Sequence, residues 1–361
     1  TPSQIDEAFD AITYQKGAAV LRMVENYVGA DTFRKGVNAY LEAHAYGNAT
    51  SEDFWKALST ASGKPVERIL PTFVSQPGVP LLDVSLACSG TATAVTLRQD
   101  RFFVDPSQHE AGRWQIPVCM KTAGQPTATC DVLNDASHTF TTAGSCAPWV
   151  FANAGARGYY RTAYSSELLR AIAPHVETDL TPPERLSLID DEWALVRAGR
   201  HGVADYLTLA VGYGREHTSG VLDAVVRGLG FVHDYLTSGD TQTRFEAFAR
   251  TLLQPLYDEV GFTAPPTDSD DRKALRATVV RAMADIGNAP EVATRARAAA
   301  DRALAGTVPL DGTIASAVLH AAARHGDARL FDALLAAAER TSDPDEHYRY
   351  LYALTDFRDP A

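Results

Sequence analysis

The spacing of apolar residues divides the chain into three zones. From Ile12 to Val74 the period is helical: Ala18, Leu21, Val24, Tyr27 and Val28 recur three or four residues apart, which sets them on one helix face. Gly29 marks a stop, and Asp31 is placed to cap a second helix carrying Phe33, Val37, Tyr40 and Leu41. Thr50 or Ser51 is placed to cap a third, with Phe54, Trp55 and Leu58, and Pro65 to open a fourth, with Ile69, Leu70 and Phe73. Gln76-Pro77-Gly78-Val79-Pro80 ends the helical regime.

From Leu81 to about Tyr164 the period falls to two. Leu82-Asp83-Val84-Ser85-Leu86 alternates, as do Val95-Thr96-Leu97 and Trp114-Gln115-Ile116-Pro117-Val118, with Phe140 and Trp149-Val150-Phe151 as further short strands. Gly, Ser and Pro turns separate them, which predicts a small antiparallel β-sandwich. Helical spacing then returns. Thr181-Pro182-Pro183-Glu184 has the form of a capped helix start, and beyond Ala264-Pro265-Pro266 come Ala-rich helices of about 12–15 residues with tight breaks. That rhythm predicts an armadillo- or HEAT-like α-solenoid, and Asp359-Pro360-Ala361 reads as a turn at which the array is cut short. The expected domains are a helical segment (1–78), a β-sandwich (79–164) and a solenoid (165–361), a multidomain α+β chain.

A length of 361 residues suits two or three such domains. The net charge of −12, with Lys and Arg dispersed, argues against nucleic-acid binding, and no apolar run reaches the ~20 residues of a membrane span. Thr1 is not a natural start, which implies a processed chain or an engineered fragment. All four cysteines lie in the strand zone and none forms a Cys-x-x-Cys pair. They suit two disulfides, Cys119–Cys130 across a hairpin and Cys88–Cys146 as the remaining pair. Disulfides favour an exported protein, periplasmic or extracellular. The alternative is a cytoplasmic chain with four buried thiols.

Phe9-Asp10-Ala11-Ile12-Thr13-Tyr14-Gln15-Lys16-Gly17-Ala18 resembles the Tyr-x-Lys-Gly helix start of aminopeptidase N-type zinc metallopeptidases, the gluzincin aminopeptidases. Val20-Leu21-Arg22-Met23, Phe33-Arg34-Lys35-Gly36, Tyr40-Leu41, Tyr46-Gly47-Asn48-Ala49-Thr50 and Asp53-Phe54-Trp55 follow in that family's order. Three further anchors are similar: Gln76-Pro77-Gly78-Val79-Pro80, Asn153 with Gly158-Tyr159-Tyr160-Arg161, and Glu184-Arg185-Leu186 with Asp190-Asp191 and Leu195-Val196-Arg197-Ala198-Gly199. The resemblance covers about 200 residues; the last ~150 match only in helical character.

The resemblance implies that residues 1–78 are the helical remnant of a thermolysin-like catalytic lobe. It also implies that Tyr14 is the catalytic tyrosine beside the zinc, its hydroxyl donating to the oxyanion of the tetrahedral intermediate. Lys16 and Gly17 read as structural. The family's His-Glu-x-x-His and its Gly-Ala-Met-Glu-Asn type of motif do not occur here, and in the family both precede the tyrosine. His109-Glu110 lacks the second histidine, His320 and His325 are five apart, and His44 reads as a surface residue. Asp190-Asp191 and Asp270-Asp271 read as caps or surface charge, since adjacent residues diverge on a helix. No Gly-x-Ser-x-Gly, Gly-x-x-x-x-Gly-Lys-Thr or Gly-x-Gly-x-x-Gly stands in a fitting context.

The expectation is thus the C-terminal part of a zinc aminopeptidase acting on peptides. It lacks the zinc ligands, partners the missing N-terminal and catalytic region, and is inactive alone. The other reading is a non-catalytic scaffold using the sandwich and solenoid surface.

Overall fold

The computed structural model describes residues 10, 12–89, 92–142, 146–265 and 267–358. Thr1, Phe9, Ala11, Pro266 and Asp359-Pro360-Ala361 lie outside them. The protein is α+β, helical at both ends with two small sheets between. It divides into two compact units, Thr1–Leu209 and Ala210–Ala361.

The first unit opens on a π-helical turn, Ile12–Lys16, that passes without a break into α1 (Gly17–Val28). α2 (Ala30–Ala43), α3 (Ser51–Ser62) and α4 (Val66–Val74) follow. A φ of +92° at Gly29 lets α2 start one residue after α1 ends. Gly29 is also the N-cap of α2, so Asp31 falls in the first turn instead of capping it. Thr50 caps α3 reciprocally with Asp53: the Asp53 N–H donates to Thr50 Oγ1 (3.3 Å) and the Thr50 N–H to Asp53 Oδ2 (2.9 Å). Pro65 stands at the N-cap of α4. Val20, Met23, Val24, Leu58, Val66, Ile69, Leu70 and Phe73 form the apolar interior. Gly36 permits the close approach of α2 to α3, since a Cβ there would lie 2.8 Å from Leu58 Cδ2.

The strands are β1 (Val79–Ser89), β2 (Ala92–Phe102), β3 (Ile116–Thr122), β4 (Gln125–Leu133), β5 (Ser137–Thr142), β6 (Val150–Phe151) and β7 (Arg161–Tyr164). They form a four-stranded sheet in the order β5-β2-β1-β7 and a three-stranded sheet in the order β4-β3-β6. All pairs are antiparallel except β1 with β7. β2 alternates as read from sequence, whereas every residue of β3 is buried, so its two faces are both covered. Trp114, read as strand, lies buried in the loop before β3, fixed by Gln99: the Trp114 N–H donates to Gln99 Oε1 (2.8 Å) and Gln99 Nε2 to the Trp114 carbonyl (3.0 Å).

After β7 come α5 (Ser166–Ile172), α6 (Val176–Asp179), α7 (Pro182–Arg197) and α8 (Val203–Ala210). Glu184, in the first turn of α7, joins three segments. Its Oε2 accepts from the Thr181 N–H and from Lys121 Nζ of β3, both at 2.7 Å, and its Oε1 accepts from the Gly155 N–H at 2.8 Å. The side chains of Glu184 and Lys121 are 3% and 9% exposed. Burial works against the charged carboxylate, but the Gly155 N–H, the Lys121 ammonium and the Thr181 donors outweigh it and hold the carboxyl below its ordinary range.

The second unit contains α9 (Ser219–Phe231), a π-helical turn Val232–Leu236, α10 (Gly239–Val260), α11 (Asp270–Asp285), α12 (Pro290–Leu304), α13 (Gly312–Arg324), α14 (Ala328–Arg340) and α15 (Pro344–Leu354). α9, α11, α13 and α15 pack one upon the next, while α10, α12 and α14 lie against their sequence neighbours. Side chains cap most of these helices: Ser269, Asp311, Asp327 and Asp343 each accept from a first-turn N–H.

Replacing Glu184 with Gln should destabilise the first unit by about 3 kcal/mol, because it leaves the Lys121 ammonium buried and uncompensated. Since the folded pKa of Glu184 is depressed, its contribution is present above the ordinary value of 4.5 and is lost as pH falls through the folded pKa. The urea midpoints of wild type and Glu184→Gln should therefore differ most near neutrality and converge in acid.

A candidate active-site turn and its supports

Tyr14 lies in the middle of the π-helical turn and is 56% exposed. Asp10 begins that turn: its Oδ1 accepts from the Thr13 N–H at 2.7 Å, its carbonyl from the Tyr14 N–H at 3.1 Å. The Thr13 N–H, helped by the Thr13 hydroxyl, holds the Asp10 carboxyl below its ordinary range. A π turn takes one more residue per bond than an α turn and is often found where a functional side chain must be aimed.

Lys16 closes the turn, its Nζ donating to the Gln76 carbonyl at 3.1 Å; partial burial lowers its pKa. Gln76 is itself fixed, accepting from the Arg113 N–H (3.2 Å) and donating to the carbonyls of Arg113 (2.7 Å) and Thr72 (3.0 Å). Thus the first two motifs of the sequence, Tyr14-Gln15-Lys16-Gly17 and Gln76-Pro77-Gly78, meet in space. α1 behind Tyr14 is held from three sides: Met23 Sδ accepts from the Tyr159 N–H (3.4 Å), Asn26 Nδ2 donates to Cys119 Sγ (3.4 Å), and the Lys64 ammonium lies 4.1 Å from the Tyr27 ring centroid.

The other two motifs also meet. Glu184 binds the Gly155 N–H, Asn153 Nδ2 reaches Ser187 Oγ (3.5 Å), and Arg161 Nη1 pairs with Asp191 Oδ1 at 2.9 Å and Asp190 Oδ2 at 3.4 Å. Asp191 is buried, not a surface acid as read from sequence. Its Oδ2 accepts from the N–H and hydroxyl of Thr162, both at 2.9 Å, and burial pushes its carboxyl up to about 6 against Arg161 and Thr162. Sequence reasoning missed Asn26, Lys121 and Asp191 as organising residues. Lys121 left a signal, a cation within an otherwise apolar strand that requires a partner.

The structure pairs Cys119 with Cys130, directly opposite on β3 and β4, and Cys88 with Cys146, which joins the end of β1 to the loop before β6. Among the described residues no three of His, Cys, Asp and Glu converge as metal ligands. Several histidines are bonded elsewhere, among them His201 to Glu192 and His217 to Glu259. His320 on α13 lies between Asp285 (Nε2–Oδ1, 2.5 Å) and Asp356 (Nδ1–Oδ2, 2.7 Å). Burial pulls its pKa down, but the two carboxylates more than offset that and raise it to about 9, the state least able to bind a metal. His109 lies in the loop after β2, not in a strand, and Glu110 pairs with Arg101 Nη1 at 2.7 Å. The described residues therefore do not fit a zinc site, and no chemical step is assigned through one.

Residues 1–73 match the peptidase family M1 domain and residues 149–361 match the ERAP1-like C-terminal domain, the latter over more than half of the chain. The chain belongs to the M1 aminopeptidase family. It is 30% identical over 349 residues to the puromycin-sensitive aminopeptidase of Caenorhabditis elegans, covering 94% of this chain and 37% of the relative. Aminopeptidase M1-A of Oryza sativa is 30% identical over 294 residues, 79% of this chain and 33% of the relative. Tricorn protease-interacting factor F2 of Thermoplasma acidophilum is 35% identical over 212 residues, 59% of this chain and 25% of the relative. The M1 chain thus spans well under half the length of these relatives and corresponds to a C-terminal portion. The relatives also correct the compartment read from the cysteines. The puromycin-sensitive aminopeptidase and plant aminopeptidase M1 are cytosolic, so the paired cysteines do not make this M1 chain an exported protein.

The His320 clasp yields a titration with a definite sign. The folded pKa lies above the ordinary 6.5, so its stabilisation is complete below 6.5 and is lost as pH rises through about 9. Imidazole NMR shifts should show a midpoint near 9 for His320, and Asp356→Asn should lower that midpoint.

Proposed function

We propose that this chain is the C-terminal body of a zinc aminopeptidase that removes N-terminal residues from peptides, and that Tyr14 is its one catalytic side chain. The observation that carries the reading is the exposed Tyr14 in a Tyr-x-Lys-Gly turn, fixed at one end by Asp10 and at the other by Lys16 on Gln76. A phenolic O–H on a rigid turn can be preorganised toward the oxygen on which negative charge develops as a peptide carbonyl becomes tetrahedral. The zinc and its ligands belong to the region preceding Tyr14 in the family, so the chain alone is inactive in this reading. The sheets act as a β-sandwich (79–164) behind the helical segment (1–78), and the helices (165–361) as a solenoid covering the substrate cavity. Support for the solenoid comes from the stacking of α9, α11, α13 and α15, which layered helix pairs produce.

In the full-length enzyme, Tyr14→Phe should lower kcat by about 10²–10³-fold with KM little changed, the scale of one lost oxyanion donor. Turnover within a few-fold of wild type would remove Tyr14 from the mechanism. The isolated chain should release no product from aminoacyl-anilide substrates and should hold no stoichiometric zinc by metal analysis.

A further inference from the structure

The two disulfides differ in what they touch. Cys88–Cys146 joins a strand end to a loop, whereas Cys119–Cys130 lies beneath α1, the helix that continues the Tyr14 turn. Cys119 is 5% exposed and its sulfur accepts from Asn26 Nδ2 of α1 at 3.4 Å. Cys130 is exposed and lines a cavity of about 430 Å³ between β4 and β5, walled by Gln125, Thr129, His138, Thr139 and Phe140. β4 is an edge strand paired with β3 and joined to it by the turn at Ala123-Gly124, so the cross-strand bond is its covalent tie to β3, on which α1 rests, beyond that turn.

We propose that Cys119–Cys130 is a thiol-exchange site, entered at Cys130 by a small thiol, whose reduction loosens the seat of α1. Exchange needs an attackable sulfur and a good leaving sulfur, and the two cysteines divide these roles. The thiolate of a dithiol attacks Cys130 Sγ from the cavity. The Cys119–Cys130 bond breaks and its electron pair leaves on Cys119 Sγ, where the Asn26 N–H steadies the developing charge. The reductant's second thiolate then attacks its own sulfur in the mixed disulfide and expels Cys130 as a thiolate. Two protein thiolates take protons from water, and the dithiol is oxidised to a cyclic disulfide. With the bond gone, β4 is held by its backbone ladder and its hairpin turn, and the Asn26 contact loses its fixed acceptor. The bearing on catalysis rests on the role proposed for Tyr14; the exchange itself does not.

The test uses the whole chain carrying Cys88→Ser and Cys146→Ser, which leaves one disulfide. Brief exposure to glutathione followed by acid quench and peptide mapping should place the mixed disulfide on Cys130. Asn26→Ala should slow its formation about tenfold, the loss of one hydrogen bond to a charged group. After reduction by dithiothreitol, amide exchange across residues 17–28 should speed up about tenfold or more, as local opening becomes easier. An adduct on Cys119, or unchanged exchange in α1, overturns the proposal. Reducing protein already folded keeps the test usable where serine variants of Cys119 and Cys130 fold poorly. Should α1 loosen while full-length turnover stays constant, the exchange site stands and the role of Tyr14 falls.

Discussion

The first unit is organised around a buried carboxylate that would be costly anywhere else in the chain. Glu184 sits at a helix start where two N–H groups and one ammonium converge on it, and each donor belongs to a different segment. A buried charge is tolerated only while its partners stay in place, so the sheet strand bearing Lys121, the turn at Gly155 and the first turn of α7 are fixed relative to one another. The Arg161–Asp191 joint repeats the arrangement two turns along the same helix, where Asp191 grips β7 through Thr162. Packing supplies most of the stability in such a unit; these polar joints set its register.

Much of this architecture was legible in the sequence because it depends on local rules. Period and punctuation place the first four helices, the strand zone and the return to helix, and Thr181 with Glu184 displays its capping box openly. What failed did so for tertiary reasons. Asp31 stands where acids often cap a helix, but the positive φ of Gly29 lets the glycine take that place. Asp190 and Asp191 read alike as surface acids, yet burial separates them, and only packing against β7 decides which is inside. Trp114 has the composition of a strand residue but is fixed in a loop by a glutamine fifteen residues earlier. Tyr14 could not be singled out by periodicity; the motif around it raised it, and the geometry adds how the turn is held.

The four sequence motifs that gave the family away prove to be two pairs of contacts. Lys16 reaches Gln76, while the segment from Asn153 to Arg161 is bound by Glu184, Ser187, Asp190 and Asp191. Motifs far apart in the chain thus describe joints between segments, and the first adds to its joint the role proposed for Tyr14. The long helical remainder has polar joints of its own, such as His320 between Asp285 and Asp356, but they are scattered among Ala-rich helices that pack through many equivalent side chains, and no sequence motif marks them.

The uninterrupted passage from π turn to α-helix has a consequence of phase. Each residue of an α-helix advances the chain by about 100° around the axis. Asp10, Tyr14 and Lys16 share one continuous backbone ribbon with α1, so the bearing of the tyrosine is counted out residue by residue from a helix anchored at Met23 and Asn26. A single-residue insertion between Tyr14 and Gly17 would swing the phenol to another quadrant while leaving the buried face of α1, Val20, Met23 and Val24, in place. The segment is therefore intolerant in length, the reverse of an ordinary surface loop.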